Sequence, residues 1–208
     1  MTPSNYLATQ IVNVTDLSFP EYIKLHTKAE HAALEKLLIG IIKNIRHQHQ
    51  YIQLLKMFHG YYHALEPVME QYLKKEHIPD IEQRRKSAAL LQDIRDLGGE
   101  IRKQQLKLDI PVIDSYARAL GAAYVLEGST LGGMIIAKMI RTQLPEIPAG
   151  KGFSFFTCYG ENASEMWNKF HTYLLALTRK EDQEASADTA RQTFLTFKAW
   201  INQYEPVF

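Results

Sequence analysis

The sequence predicts an all-α fold, a single compact multi-helix domain. Three observations carry this. Apolar residues recur at three- and four-residue spacing along most of the chain, the period of a half-buried helix. The interruptions fall at His77-Ile-Pro-Asp80, Gly98-Gly99 and the Pro- and Gly-rich stretch from Leu144 to Gly152. No pair of alternating strands joined by a hairpin turn can be found.

Each element has its own warrant. Ser18-Phe-Pro-Glu21 reads as a capping box, with Ser18 as N-cap and Glu21 three residues on. It opens a first helix that runs to about Leu38. After a mixed segment from Ile39 to Ile45, a second helix runs from about Gln48 to Lys75, and Pro67 should kink or split it. A third covers about Asp80 to Leu97, with Gly98 and Gly99 as its stop. Glu100 to Pro111 is ambiguous. A long apolar helix follows from about Ile113 to Gln143, then a loop from Leu144 to Gly152. Phe153-Ser-Phe-Phe156 is either strand-like or simply buried. Two helices close the chain, from about Ala163 to Thr178 and from about Ala185 to Tyr204.

Composition narrows the function. A chain of 208 residues fits one domain, here residues 1–208, with 1–17 as an N-terminal extension. Net charge is +1, from 24 basic and 23 acidic residues, with no basic stripe for nucleic acid. Cys158 is the one cysteine, which rules out an intrachain disulfide and favours the cytoplasm. No run approaches the roughly eighteen uninterrupted apolar residues of a membrane span. The N-terminal Met-Thr-Pro-Ser-Asn-Tyr lacks the regions of a signal peptide. The expectation is a cytoplasmic monomer with no membrane or nucleic-acid partner.

The most informative feature is Gly128, Gly132 and Gly133 inside the long apolar helix. Each interior glycine costs roughly 1 kcal/mol relative to alanine. Close approach of another object to bare backbone is the usual compensation. That object is either a packed helix or a flat ligand lying on a strip free of side chains.

Most of the eight histidines need no special role. His31 lies on a stripe with Lys24, Thr27, Leu34 and Leu38. Glu35, one turn on, stands where it can hold the second nitrogen of a metal-bound imidazole. Lys24, seven residues before, lies roughly 10 Å away along the helix. This suits a ligand with a metal at its centre and an anion at its edge. His26 competes, with Glu30 one turn on, but Phe19 rather than a lysine precedes it by seven residues. His59, His63 and Glu66 form another possible metal face, but no Glu-x-x-His motif of a carboxylate di-iron site occurs. An aromatic-polar helix face around Tyr61 and Tyr62 is the plainer reading. Cys158 reads as a buried neighbour of Phe155 and Phe156.

Five segments together resemble the haem oxygenase family, from about Phe19 to Tyr204. Thr27-Lys-Ala-Glu-His31-Ala-Ala-Leu-Glu35 is similar to its proximal-histidine segment, and Phe58–Glu66 to its second-helix signature. Arg85–Asp93 resembles the stretch that follows. Glu127-Gly-Ser-Thr-Leu-Gly-Gly133 resembles the glycine-rich kinked distal helix of bacterial members, and Gly150–Thr157 the loop beyond it. The resemblance implies haem as both cofactor and substrate, lying between the first helix and the distal helix. His31 would be the axial iron ligand, oriented by Glu35. Gly128, Ser129, Gly132 and Gly133 would form the distal, catalytic side, where a water network supplies the proton. Lys24 and Lys169 fall at propionate-binding positions, and Phe194 at a haem-contacting one. Departures from the animal pattern are Ser129 for the distal aspartate, and Ala123 and Tyr173 for the propionate tyrosine and arginine.

The implied reaction uses O2 and reducing equivalents from a redox partner such as ferredoxin or a flavoprotein reductase. It converts haem to biliverdin, carbon monoxide and ferrous iron. The alternatives are a non-catalytic haem carrier or sensor on the same scaffold, and a non-haem relative of thiaminase-like or di-iron type.

Overall fold

A computed structural model describes residues 17–101 and 108–204, so most of the N-terminal extension and part of the ambiguous 100–111 segment lie outside the described residues. Its helices are α1 (Phe19–His26), α2 (Lys28–Lys43), α3 (Gln48–Met69), α4 (Ala88–Asp96), α5 (Tyr116–Gly128), α6 (Thr130–Gln143), α7 (Ala163–Leu175) and α8 (Lys180–Tyr204). Among the described residues there is no strand. Phe153, Phe155 and Phe156 sit in turns with their rings buried.

Several boundaries differ from the sequence reading, each for a local reason. The capping box forms, with the Ser18 backbone N–H and hydroxyl both donating to Glu21, at 2.9 and 2.6 Å. The first helix, however, breaks at Thr27, whose hydroxyl donates back to the Ile23 carbonyl at 2.7 Å. The chain then resumes as α2 and runs past Leu38 to Lys43. Pro67 falls in the last turn of α3, which stops two residues later instead of continuing to Lys75. The helix expected from Asp80 starts at Ala88. Residues 81–83 form a single 3-10 turn, because Asp80 and Arg84 are held by distant partners described below.

The core is organised around α5, in which every residue from Ala119 to Glu127 is buried. It crosses α8 at unusually close range. A Cβ added at Gly121 would lie 2.0 Å from the Ser186 carbonyl oxygen. The facing positions on α8 are small, namely Ser186, Ala187 and Ala190. Thr189 and Thr193 there donate their hydroxyls to carbonyls one turn back, both at 2.8 Å, so these two groups enter the core already satisfied, whereas the buried Ser186 hydroxyl has no partner among the described residues. The stretch Tyr116–Gln143 is long and apolar enough to cross a membrane by length and composition, but 61% of its most apolar window is buried inside this fold.

α3 packs on the other side of α8. Trp200 lies over Gly60 and donates its indole N–H to the Met57 carbonyl at 2.8 Å, and the Tyr61 hydroxyl donates to the Thr193 carbonyl at 2.9 Å. Asp93 of α4 accepts from the Ser154 and Phe155 backbone N–H groups and the Ser154 hydroxyl, at 2.8, 2.9 and 2.7 Å. Those bonds fasten the aromatic turn to the bundle. Cys158, just beyond, is exposed rather than buried with Phe155 and Phe156.

These contacts separate two kinds of glycine. Gly121→Ala should lower unfolding free energy by about 1–3 kcal/mol through overpacking against Ser186. Gly40→Ala on the exposed side of α2 has nothing within 4 Å to meet, and should raise it by about 1 kcal/mol. Urea denaturation of both variants checks the pair.

Candidate functional site

The apolar helix predicted from 113 to 143 is broken at Ser129, and the break has an identifiable cause. The Leu126 carbonyl accepts from the Ser129 hydroxyl at 2.8 Å and from the Arg85 guanidinium. The Glu127 carbonyl accepts from the Thr130 hydroxyl at 2.7 Å. Side chains thus draw on carbonyls that serve the main-chain ladder in an unbroken helix. Arg85 also donates to the Ser129 hydroxyl and to the Tyr62 hydroxyl, and packs its guanidinium over the Phe155 ring, 4.2 Å from the centroid. Tyr62 and Ser129 share a further hydrogen bond of 3.0 Å. Burial pushes the Tyr62 hydroxyl up from its ordinary value, so it stays protonated and available as a donor.

Beyond the break, α6 and α2 meet at their C-terminal ends, where the Gln143 side chain donates to the Lys43 carbonyl at 3.2 Å. Gln143, Met139, Ile136 and Gly132 follow one another at helical spacing along one side of α6. On α2, Ile42, Leu38 and His31 do the same. The two stripes run from the Gln143–Lys43 junction, where the helices meet, toward Gly132 and His31.

The three glycines play different parts. A Cβ at Gly132 would meet nothing within 4 Å, one at Gly133 would lie 2.2 Å from the Phe156 carbonyl oxygen, and one at Gly128 would touch the Trp167 ring at 3.3 Å. Gly133 is therefore a packing glycine that seats α6 on the aromatic turn. Gly132 leaves bare backbone with open space beside it.

The histidines separate as well. His26 bonds to Asp188 at 3.1 Å and stacks on Tyr22, while Glu30 accepts from Arg191 at 2.6 Å. His31 is exposed on the first turn of α2. Its ring meets the edge of Phe194 at 5.5 Å and 73°, and its nitrogens have no hydrogen-bond partner among the described residues. Glu35 is exposed and does not bond to it, so neither glutamate holds its histidine. His59 and His63 stack on each other, and Glu66 turns away to accept from Ser87.

Lys169 pairs with Asp80 at 3.2 Å, and Tyr173, one turn on, donates to the same carboxylate at 2.8 Å. Asp80 in turn takes Arg84 at 2.8 Å, and Arg84 reaches Glu127 at 2.7 Å and the Met166 carbonyl at 2.9 Å. The Tyr159 hydroxyl adds a bond to Glu127 at 3.2 Å and accepts from the Arg85 backbone N–H at 2.7 Å. This buried cluster ties the 3-10 turn, α5 and α7 together directly behind the Ser129 break. Ala123 is buried on α5. The face of α7 turned toward Lys24 instead carries Trp167 and His171, whose rings are 4.6 Å apart.

A family model described as Heme oxygenase matches residues 17–203. The chain belongs to the haem oxygenase family. A heme oxygenase of Xanthomonas campestris pv. campestris is 30% identical over 125 residues, spanning 60% of this chain and 71% of that protein. Among solved structures, the NO- and CO-bound heme oxygenase of Neisseria meningitidis aligns with a TM-score of 0.76 at 23% identity, covering 90% of this chain and 92% of that one. The heme oxygenase of Leptospira interrogans gives 0.72 at 21%, covering 90% and 100%. The cyanobacterial heme oxygenase-1 of Synechocystis, in complex with heme, gives 0.70 at 18%, covering 91% and 93%. The all-helical architecture is that of these structures.

Within this haem oxygenase fold, sequence reading passed over the Asp80–Arg84–Glu127 cluster and the Arg85 bonds to the helix break. The charged residues of the cluster are far apart in the chain and share no motif. Arg84, Asp80 and Glu127 are each nearly inaccessible, with side chains 3%, 3% and 9% exposed. Arg84→Met leaves two buried carboxylates short of a partner and should cost about 3–5 kcal/mol in urea denaturation.

The cluster also carries a pH signature. Burial raises the Asp80 carboxyl, but the Tyr173 and Lys169 hydrogen bonds and the Arg84 charge outweigh it and hold it below its ordinary 3.8. A depressed carboxyl stabilises at neutral pH and loses that effect as pH falls through its folded value. The stability gap between wild type and Asp80→Asn should therefore be full at pH 7 and shrink below about pH 4.

Proposed function

We propose that this haem oxygenase family member binds haem between α2 and α6 and opens it to biliverdin, carbon monoxide and ferrous iron, using O2 and electrons from an external donor. One observation carries the reading. An exposed imidazole with no hydrogen-bond partner among the described residues, His31, stands on α2, which packs against α6, where the Gly132 backbone is bare.

The residues present fit an iron porphyrin. A flat ring needs a wall without side chains, and Gly132 leaves that space open. An iron at its centre needs a free nitrogen donor, which His31 offers. Haem, once bound, supplies the iron at which O2 is reduced and the ring carbon that is oxidised. His31 would hold the iron as an imidazole donor, which pushes less toward O–O cleavage than a thiolate does.

The protein's own groups do the rest. Phe194, edge-on to His31, limits the rotation of the imidazole. Gly133, seated on the Phe156 carbonyl, fixes how close α6 comes to the ring face. The Ser129 hydroxyl, held by Arg85, Tyr62 and the Leu126 carbonyl, would hydrogen-bond and orient a water that carries the proton. Its place at the helix break puts that hydroxyl beside Gly128 and Gly132, where the reacting oxygen would be steered toward the ring edge.

The test is optical. Haemin added to the protein should give a sharp Soret band that decays to biliverdin absorption under reductant in air. A stable Soret band under those conditions would rule out turnover in favour of mere binding. His31→Ala should shift or abolish the Soret band, and an unchanged spectrum would move the iron ligand elsewhere. Gly132→Leu should weaken haem binding or stop turnover, and normal turnover would dismiss the bare-backbone wall.

A further inference from the structure

We propose that Asp93 of α4 is a positioning residue for the ligand site: by holding the aromatic turn 153–157, it sets where α6 stands opposite α2. The inference rests on the haem reading above and names the group that fixes the Gly132 side of the site.

The Asp93 carboxylate is buried, and both of its oxygens are committed to the turn. Oδ1 accepts from the Ser154 backbone N–H and hydroxyl, and Oδ2 accepts from the Phe155 backbone N–H. Only a group that accepts at both oxygens suits this place. An asparagine would turn its amide nitrogen, a donor, toward one of those N–H groups. The turn is also closed on itself, since the Thr157 backbone N–H and hydroxyl both donate to the Phe153 carbonyl, at 3.0 and 2.9 Å. It therefore moves with its anchor as one piece.

α6 rests on this piece at two points. A Cβ at Gly133 would lie 2.2 Å from the Phe156 carbonyl oxygen, and Arg141 lays its guanidinium over the Phe153 ring, 4.5 Å from the centroid. The two seats lie roughly 12 Å apart along the helix axis, so together they fix both the distance of α6 and its tilt. Gly132, the bare position, is next to the first seat and follows any shift of the turn. A third contact reaches the helix break, where the Phe155 ring lies under Arg85 and Arg85 holds Ser129. α6 packs on α5, α2 and α7 as well, but it meets the turn through bare backbone at Gly133. His31 stands on α2 and meets Phe194 of α8, outside this chain of contacts. A loosened turn disturbs the oxidation of the ring more than the ligation of its iron.

The experiment compares wild type with Asp93→Asn, Ser154→Ala and Trp200→Phe, the last removing a hydrogen bond between α8 and α3 instead. Amide hydrogen exchange is measured on each free protein. Asp93→Asn should speed exchange about tenfold in the turn and in residues 131–141, the size of a lost hydrogen bond to a charged group, and leave residues 31–41 of α2 near wild type. Haemin is then titrated into each protein, and decay of the Soret band is followed under reductant in air. Turnover at saturating haemin should fall about tenfold in Asp93→Asn, and affinity should change much less. Ser154→Ala keeps both backbone bonds and should move exchange and turnover the same way by about threefold, which decides the matter if Asp93→Asn does not fold. Trp200→Phe should leave α6 exchange and turnover near wild type. Fast exchange confined to the turn, with residues 131–141 unchanged, overturns the proposal and leaves the haem reading standing. Equal loss of turnover in Trp200→Phe and Asp93→Asn overturns it in the same way. No Soret band in wild type overturns both.

Discussion

The hold of Arg85 on the Leu126 carbonyl and the Ser129 hydroxyl is the constraint on which the site depends. Without it, the apolar stretch from Tyr116 to Gln143 has the composition of one straight helix. With it, the stretch becomes a buried core helix, α5, and a second helix, α6, that meets α2 at its C-terminal end. The break needs a side-chain donor of fixed fork geometry, and arginine supplies one. It also needs a rigid backing, which comes from the Phe155 ring beneath the guanidinium and the Asp80–Arg84–Glu127 cluster behind it.

The other half of the design is close packing at α5 and α8. Gly121 against the Ser186 carbonyl brings two backbones together, so the first half of the stretch cannot move when the second half bends. Gly133 does the same for α6 against the Phe156 carbonyl. Between these two anchored glycines, Gly132 is free of neighbours. The arrangement uses glycine both to lock helices and to leave a wall open, and only the second use concerns a ligand.

Much of this was legible in the sequence, and the exceptions have physical causes. Helical periodicity located every helix, and the capping box at Ser18 fixed the first start. Stops were misplaced where a side chain outbid the main chain, as at Thr27 and Ser129, or where long-range charge pairing overrode local pattern, as at Asp80 and Arg84. In the site, the stripe from His31 to Leu38 and the placement of Phe194 came from spacing and family resemblance. Lys169, given by resemblance as a propionate-binding position, pairs with Asp80, a partner that no local pattern announces. The apolar run of Trp167, Phe170 and Leu174 already marks which face of α7 turns inward, and His171 lies on it. The Glu35 bond was an inference from i, i+4 spacing, which places residues near one another without making them meet.

Binding, orientation and proton delivery all assume that the ligand lies between α2 and α6 with its metal on His31. A crystal structure of the protein with ferric haem tests that directly. The expected result is iron bonded to an imidazole nitrogen of His31, the ring face against the Gly132 backbone, and the propionates toward Lys24. Iron bonded to His26, or a porphyrin seated away from α6, would contradict it.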